Sequence, residues 1–384
     1  MLRFEHVSLS YGSQKIIDDI SFEIQEGQMA VLIGSSGCGK TTTLKMINRL
    51  IEPTAGRIYL DGQDITTKDK VELPRHIGYV IQQIGLFPNM TVAQNISVVP
   101  TLLKYSREEC DRIVRELLDM VNLPYEQYAH KYPSEMSGGQ QQRIGILRAL
   151  AASPPIVLMD EPFSALDPMT RAELQDEVHR LQLRFHKTIV FVTHDMDEAV
   201  KLADRICILQ NGHVVQCDKP ENILKHPANE YINSFIGKNR LWENPSFIRA
   251  EDIMRPRPIT ISQSRTVVQA VQLMRHYNID SLLVTGDDNK FAGMVWLQDL
   301  IGIDQYSSPV SSFLSDDYLS VRVDDSLSTV LEKVADYGEK DFGILPVLDA
   351  EGAIRGFLNR SSLLSTLSRR FIDEPVERDE QEGA

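Results

Sequence analysis

Between the apolar run Met29-Ala30-Val31-Leu32-Ile33 and a helical pattern from Thr41 to Leu50 stands Gly34-Ser35-Ser36-Gly37-Cys38-Gly39-Lys40-Thr41. This is G-x-x-x-x-G-K-[ST] in a strand-to-helix setting, which few folds can supply. The glycines let successive N–H groups turn inward around a phosphate, and the helix N-terminus adds positive potential. Lys40 is placed to reach the β- and γ-phosphates of a bound nucleotide, and the Thr41 hydroxyl to ligate Mg²⁺. Ser35, Ser36, Cys38 and Thr42 complete the expected nucleotide contacts. A glycine-rich turn with an incidental lysine is the bland alternative, and the flanking strand and helix argue against it.

The rest of the first 235 or so residues alternates short apolar runs with helical patterns, as expected of a sheet covered by helices, an α/β fold. Ile156-Val157-Leu158-Met159 ends in Asp160 and Glu161, and Thr188 to Val192 ends in Thr193 and His194. Carboxyl ends of parallel strands are where such folds present chemistry. Asp160 is expected beside the metal, and Glu161 is expected to orient or deprotonate the attacking water. Alone, two acids at a strand end read as a solvated loop or helix cap.

Length and charge narrow the class. At 384 residues the chain suggests two or three domains with well-buried cores. A formal charge of −14 argues against nucleic acid as a principal ligand and against adhesion to anionic lipid by charge alone. No run of about 18 apolar residues occurs, and the first residues lack a signal-peptide layout. Cys38, Cys110, Cys207 and Cys217 are scattered with no C-x-x-C pair, so neither a zinc site nor a disulfide framework is expected, and the location reads as reducing and cytoplasmic.

Asn239, Asn244, Pro245, Pro256 and Pro258 mark a change of composition between Gly237 and Pro258, read as a linker over 238–250. Beyond it the chain repeats loosely. Pro258 to Ile261, a helix through Val267, Val271 and Met274, and strands at Leu282–Val284 and Gly293–Val295 form one unit. Leu319 to Val321, a helix through Leu327, Val330 and Val334, and strands at Leu345–Val347 and Gly356–Leu358 form the second. Gly293 and Gly356 are 63 positions apart. The units are placed at 251–306 and 307–368, and an acidic tail at 369–384 reads as disordered.

Further segments carry a family resemblance. Ser137-Gly138-Gly139-Gln140 looks like the ABC signature, with Met136 where the family usually has Leu. Gln82 resembles the Q-loop glutamine, Ser164-Ala165-Leu166-Asp167 the D-loop, His194 the switch histidine and Tyr11 the A-loop aromatic that stacks on adenine. Residues 1 to about 237 therefore resemble the ATPase subunits of ABC transporters. The resemblance implies ATP and Mg²⁺ held by Thr41, Gln82 and Asp160, with catalysis by Glu161, His194 and Gln82. It also implies a head-to-tail homodimer in which Ser137, Gly138, Gly139, Gln140 and Asp167 face the partner's ATP. Each residue keeps a plainer reading: Ser137 as a helix cap, His194 and Gln82 as ordinary polar residues, Tyr11 as packing at a strand end.

The C-terminal units resemble a tandem CBS pair, an α+β regulatory module. An ABC ATPase fused to such a pair is similar to the ATPase of importers for glycine betaine, carnitine or choline; related importers carry ergothioneine or other trimethylammonium solutes, and a soluble, non-transport ABC ATPase is the rival. The resemblance implies integral permease subunits, an extracytoplasmic binding protein, and docking at the cytoplasmic side of a membrane. Ile84, Leu86 and Phe87 suit a groove for a permease helix, or plain core packing. Nucleotide-binding CBS modules show Gly, Ser/Thr and Asp at three-residue steps; this chain has Gly293, Trp296 and Asp299, then Gly356, Asn359 and Ser362. The resemblance implies regulation of the pair by cyclic di-AMP or by ionic strength, against a purely structural, dimer-stabilising role.

Overall fold

The computed structural model describes residues 2–83, 85–237, 240–286, 288–302, 306–338 and 342–368. Ile84, residues 238 and 239 of the expected linker, and the acidic tail from 369 lie outside the described residues. The chain forms two compact units, Met1–Ile236 and Gly237–Ala384.

The first unit contains strands β1 (Leu2–Tyr11), β2 (Gln14–Ile24), β3 (Met29–Gly34), β4 (Ala55–Leu60), β5 (Gln63–Asp64), β6 (Ile77–Val80), β7 (Ile156–Asp160), β8 (Thr188–Thr193), β9 (Arg205–Gln210) and β10 (His213–Asp218). They form a four-stranded sheet, β2-β1-β4-β5, and a six-stranded sheet, β10-β9-β3-β8-β7-β6. The five strands from β9 to β6 run parallel, so both sheet faces must be covered. The sequence shows why this works. Every residue of β3, β7 and β8 is buried; β3 and β7 are unbroken apolar runs up to their last residue, and β8 is one between Thr188 and Thr193. Ala30 and Leu32 share one core cluster with Phe4, Ile20, Leu44, Leu158 and Val190, which joins the two sheets through the helix Lys40–Ile47. By strand alternation Met29, Val31 and Ile33 face the opposite way, and they are equally buried.

The helix after the glycine-rich loop starts at Lys40 and stops at Ile47, short of the Leu50 that its pattern suggested. Arg49 takes a positive φ of 51° and Leu50 turns out to solvent, which ends the helix. One expectation is overturned. Cys207 and Cys217 lie directly opposite each other across β9 and β10 and form a disulfide. A hairpin makes neighbours of residues ten apart, which spacing along the chain does not reveal. Cys38 and Cys110 are free and buried.

The second unit repeats one topology twice. Strands β11 (Thr260–Ser262), β12 (Ser281–Thr285) and β13 (Phe291–Trp296) form one three-stranded sheet, and β14 (Val321–Arg322), β15 (Ile344–Leu348) and β16 (Ile354–Asn359) the other. In each, the first pair is parallel and the second antiparallel. The helices Val267–Tyr277 and Leu327–Tyr337 fill the crossovers, begun by Thr266 and Ser326 as side-chain caps. The repeats also exchange their leading segments. Ile248 and Ala250 lie in the second repeat's core with Leu327, Leu345 and Leu358, and Arg255 pairs with Phe357. Val310 closes the first repeat's core with Val267, Met274 and Val284, while Ser315 pairs with Met294. Among the described residues, no helix is long and apolar enough to cross a membrane.

Candidate functional site

The parallel register brings distant residues to one level. Ile33 is opposite Thr193, and Asp160 is opposite Val192. Gly34, Asp160 and His194 therefore leave the sheet at the same edge. Gly34 allows the loop to depart there: a Cβ would stand 2.1 Å from the Leu209 carbonyl oxygen. Gly39, with φ of 102°, starts the helix in a conformation that L side chains rarely adopt. No side chain caps that helix, so its first N–H groups are left for an anion.

Ile16, Ser36, Gly37, Gly39, Lys40, Thr41, Thr42, Glu161 and His194 line a cavity of about 440 Å³. Lys40 is 8% exposed, and its Nζ donates to the carbonyls of Gly34 (2.8 Å) and Ser35 (2.9 Å). These bonds satisfy a buried ammonium inside the loop. The Thr41 hydroxyl donates to Asp160 Oδ1 at 2.8 Å. Burial raises the Asp160 carboxyl above the usual carboxylate range, against the pull of that bond and of Lys45 and Lys40. Two oxygen donors so close together are a hard-ligand set suited to Mg²⁺. Gln82 sits elsewhere: its Nε2 donates to Glu161 Oε2 at 2.9 Å. Below, Tyr79 is pushed up to about 12 by burial and then by the Asp160 charge.

Glu161 has an unusual backbone, with φ of 45°, and its N–H donates to the Val192 carbonyl at 3.0 Å. That bond carries the ladder one residue past β7 and turns the side chain toward the cavity. His194 Nδ1 lies 3.6 Å from Glu161 Oε1. The carboxylate is thus flanked by Gln82 on one side and His194 on the other.

Other predicted site residues lie away from this cavity. Tyr11 ends β1 and is 58% exposed, and Ile16 of β2 lines the wall instead. Sequence reading missed Ile16, and its only signal was its place just after the Tyr11 turn. Ser137 caps the helix Gly138–Leu150: its Oγ accepts from Gln140 N (3.3 Å), and Gln140 Oε1 accepts from Ser137 N (3.0 Å). Gly139 lets this helix approach Thr170, where a Cβ would meet a methyl at 2.6 Å. Asp167 caps the helix Pro168–Phe185 by accepting from Thr170 N at 3.1 Å. Within one chain, neither Ser137–Gln140 nor Asp167 lines the cavity.

A second cavity of about 300 Å³ is lined by residues including Ile81, Gly85, Phe87, Val98, Val99 and Arg148. The Arg148 guanidinium donates to the Gly85 carbonyl at 2.7 Å and sits 5.9 Å over the exposed Phe87 ring. Leu86 is half-buried.

The repeats treat their equivalent positions differently. Trp296 and Asp299 line a cavity of about 710 Å³ with Asp280, Asp317 and Tyr337, and no Lys or Arg is among its described lining residues. In the second repeat, Asn359 Oδ1 accepts from Ser362 N (2.8 Å) and Ser362 Oγ accepts from Asn359 N (3.0 Å), a helix-start pair.

Comparison with known proteins agrees with this architecture. The ABC transporter family model matches residues 17–164, and the CBS domain model matches 250–304 and 310–369. The chain is 49% identical over 367 residues to the choline transport ATP-binding protein OpuBA of Bacillus subtilis, covering 95% of both chains. It is 50% identical over 366 residues to the glycine betaine/carnitine/choline transport ATP-binding protein OpuCA of the same organism, again covering 95% of each. Among solved structures, the ATP-binding cassette MJ0796, dimeric in a post-hydrolysis state with ADP and Pi, matches at 35% identity and a TM-score of 0.52, over 57% of this chain and 99% of that one. The chain belongs to the ATP-binding proteins of ABC transporters. Its first unit is an ABC-type ATPase whose hydrolysis is coupled to transport, and its second carries paired CBS domains.

Proposed function

We propose that this ATPase powers import of a quaternary amine osmoprotectant (glycine betaine, carnitine or choline) through separate permease subunits, working peripherally at the cytoplasmic face of the membrane. The substrate class rests on one observation: near 50% identity, end to end, with relatives named for these solutes. Deleting the gene and measuring uptake of the three radiolabelled solutes tests it. Selective loss of one or more supports the proposal, and undiminished uptake of all three overturns it. Loss of ergothioneine uptake instead would assign another trimethylammonium solute.

For hydrolysis, Glu161 holds and deprotonates the attacking water, kept in place by Gln82 and His194. His194 donates to the γ-phosphate. Lys40 leaves the carbonyls of Gly34 and Ser35 for the phosphates, and the uncapped helix start receives them. Thr41 and Asp160, joined by Gln82 from its place beside Glu161, would hold Mg²⁺, which would neutralise phosphate charge. Tyr11, exposed at the end of β1, stacks on adenine. Ser137 and Asp167 complete the site of a second copy in a head-to-tail homodimer, a reading supported by their absence from their own cavity. The groove around Phe87 receives a permease helix. A substrate-binding protein outside the membrane delivers the solute. Cyclic di-AMP at the CBS pair rests on the resemblance alone. Calorimetric titration of the full chain tests it, and absence of heat removes it.

A further inference from the structure

The turn that carries His194 is tied down on both sides. Thr193 ends β8 almost fully buried, and its hydroxyl donates to Glu198 Oε2 at 2.6 Å. The Thr193 hydroxyl oxygen in turn accepts from the Asp195 N–H at 3.0 Å. Glu198 is 5% exposed, and burial raises its carboxyl above the usual range despite the Thr193 bond. Asp195 Oδ1 accepts from Asp197 N at 2.8 Å and starts the following helix.

A second anchor comes from a distant segment. Arg171, near the start of the helix Pro168–Phe185, donates through Nη2 to the Leu166 carbonyl at 3.0 Å. Its Nη1 lies 3.7 Å from Asp195 Oδ2. The loop Glu161–Asp167 is thereby closed into a ring. It leaves Glu161, is folded by the Ser164 hydroxyl donating to the Glu161 carbonyl at 3.1 Å, passes Leu166, crosses Arg171 to Asp195, and returns from His194 to Glu161.

We propose that Arg171 is a positioning residue for hydrolysis, holding His194 at Glu161 by binding the Leu166 carbonyl and the Asp195 carboxylate together. The inference rests on reading Glu161 and His194 as the hydrolytic pair. Arginine suits the task because its planar fork points donors at two acceptors at once, whereas one ammonium reaches only one of them well. Because Leu166 adjoins Asp167, any movement imposed on that loop by a second copy reaches His194 through the same guanidinium.

Steady-state ATP hydrolysis by full-length Arg171→Met and Arg171→Lys tests this, with Glu161→Gln run beside them. Misplacing a catalytic group by about 1 Å costs up to about 10²-fold. The expectation is a kcat reduced about 10-fold in Arg171→Met and about 3-fold in Arg171→Lys, with KM for ATP within about 2-fold of the native value in both. A purely structural role would not separate kcat from KM in this way. Native turnover in either variant, or KM rising in step with the loss, overturns the proposal. If Arg171→Met does not fold, Arg171→Lys decides alone. Native turnover by Glu161→Gln would instead overturn the underlying pair, a different outcome from an inactive Glu161→Gln beside unaffected Arg171 variants.

Discussion

The ATPase unit and the CBS pair are both built from short strands and side-chain-capped helices, but they use their strand ends differently. In the first, three parallel neighbours, β3, β8 and β7, finish at one level, and Lys40, Glu161 and His194 meet at a single cavity. In the second, each three-stranded sheet has only one parallel pair. Fewer ends coincide, and in the second repeat Asn359 and Ser362 hydrogen-bond to each other. Parallel adjacency turns sequence-distant residues into one site, whereas the repeats use much of the same polar vocabulary to start helices and close cores.

The contrast can be broken in order of effect. Glu161→Gln should lower ATP turnover about 10²- to 10⁴-fold, the usual worth of a positioned base, while nucleotide binding persists; phosphate release and equilibrium binding read the two separately. Ile248→Ala should take about 2–5 kcal/mol from the second repeat, because its side chain completes a core formed by residues many positions later. Denaturant unfolding monitored in the CBS pair measures this, and a loss confined to the first repeat would refute the exchange of segments. Asn359→Ala should cost about 1 kcal/mol as a lost helix cap. Its ATP turnover should match the native protein, and a change there would show that the two units are less separate than their chemistry suggests.

The glycine-rich loop and the acid-ended strand were legible because phosphate chemistry fixes residue type and spacing together. The twofold repeat was legible from strands that recur 63 positions apart. What escaped reading depends on adjacency in space. Ile16 reaches the cavity wall only because β2 begins near the loop, and Cys207 meets Cys217 only because a hairpin sets the register. Arg171 gives no signal in the sequence, since its two partners are Leu166, by a main-chain carbonyl, and Asp195, 24 residues away. Ser137 is legible only as two readings, since capping its own helix and facing another copy's phosphate call on the same hydroxyl.

The exchanged segments also set a timetable for synthesis. As the chain leaves the ribosome, Ile248 and Ala250 emerge early but find their core only after Leu345 and Leu358 have followed. The nascent chain therefore carries an unsatisfied apolar stretch through the making of an entire repeat. Any protein shortened between the two repeats would keep that stretch exposed and invite aggregation.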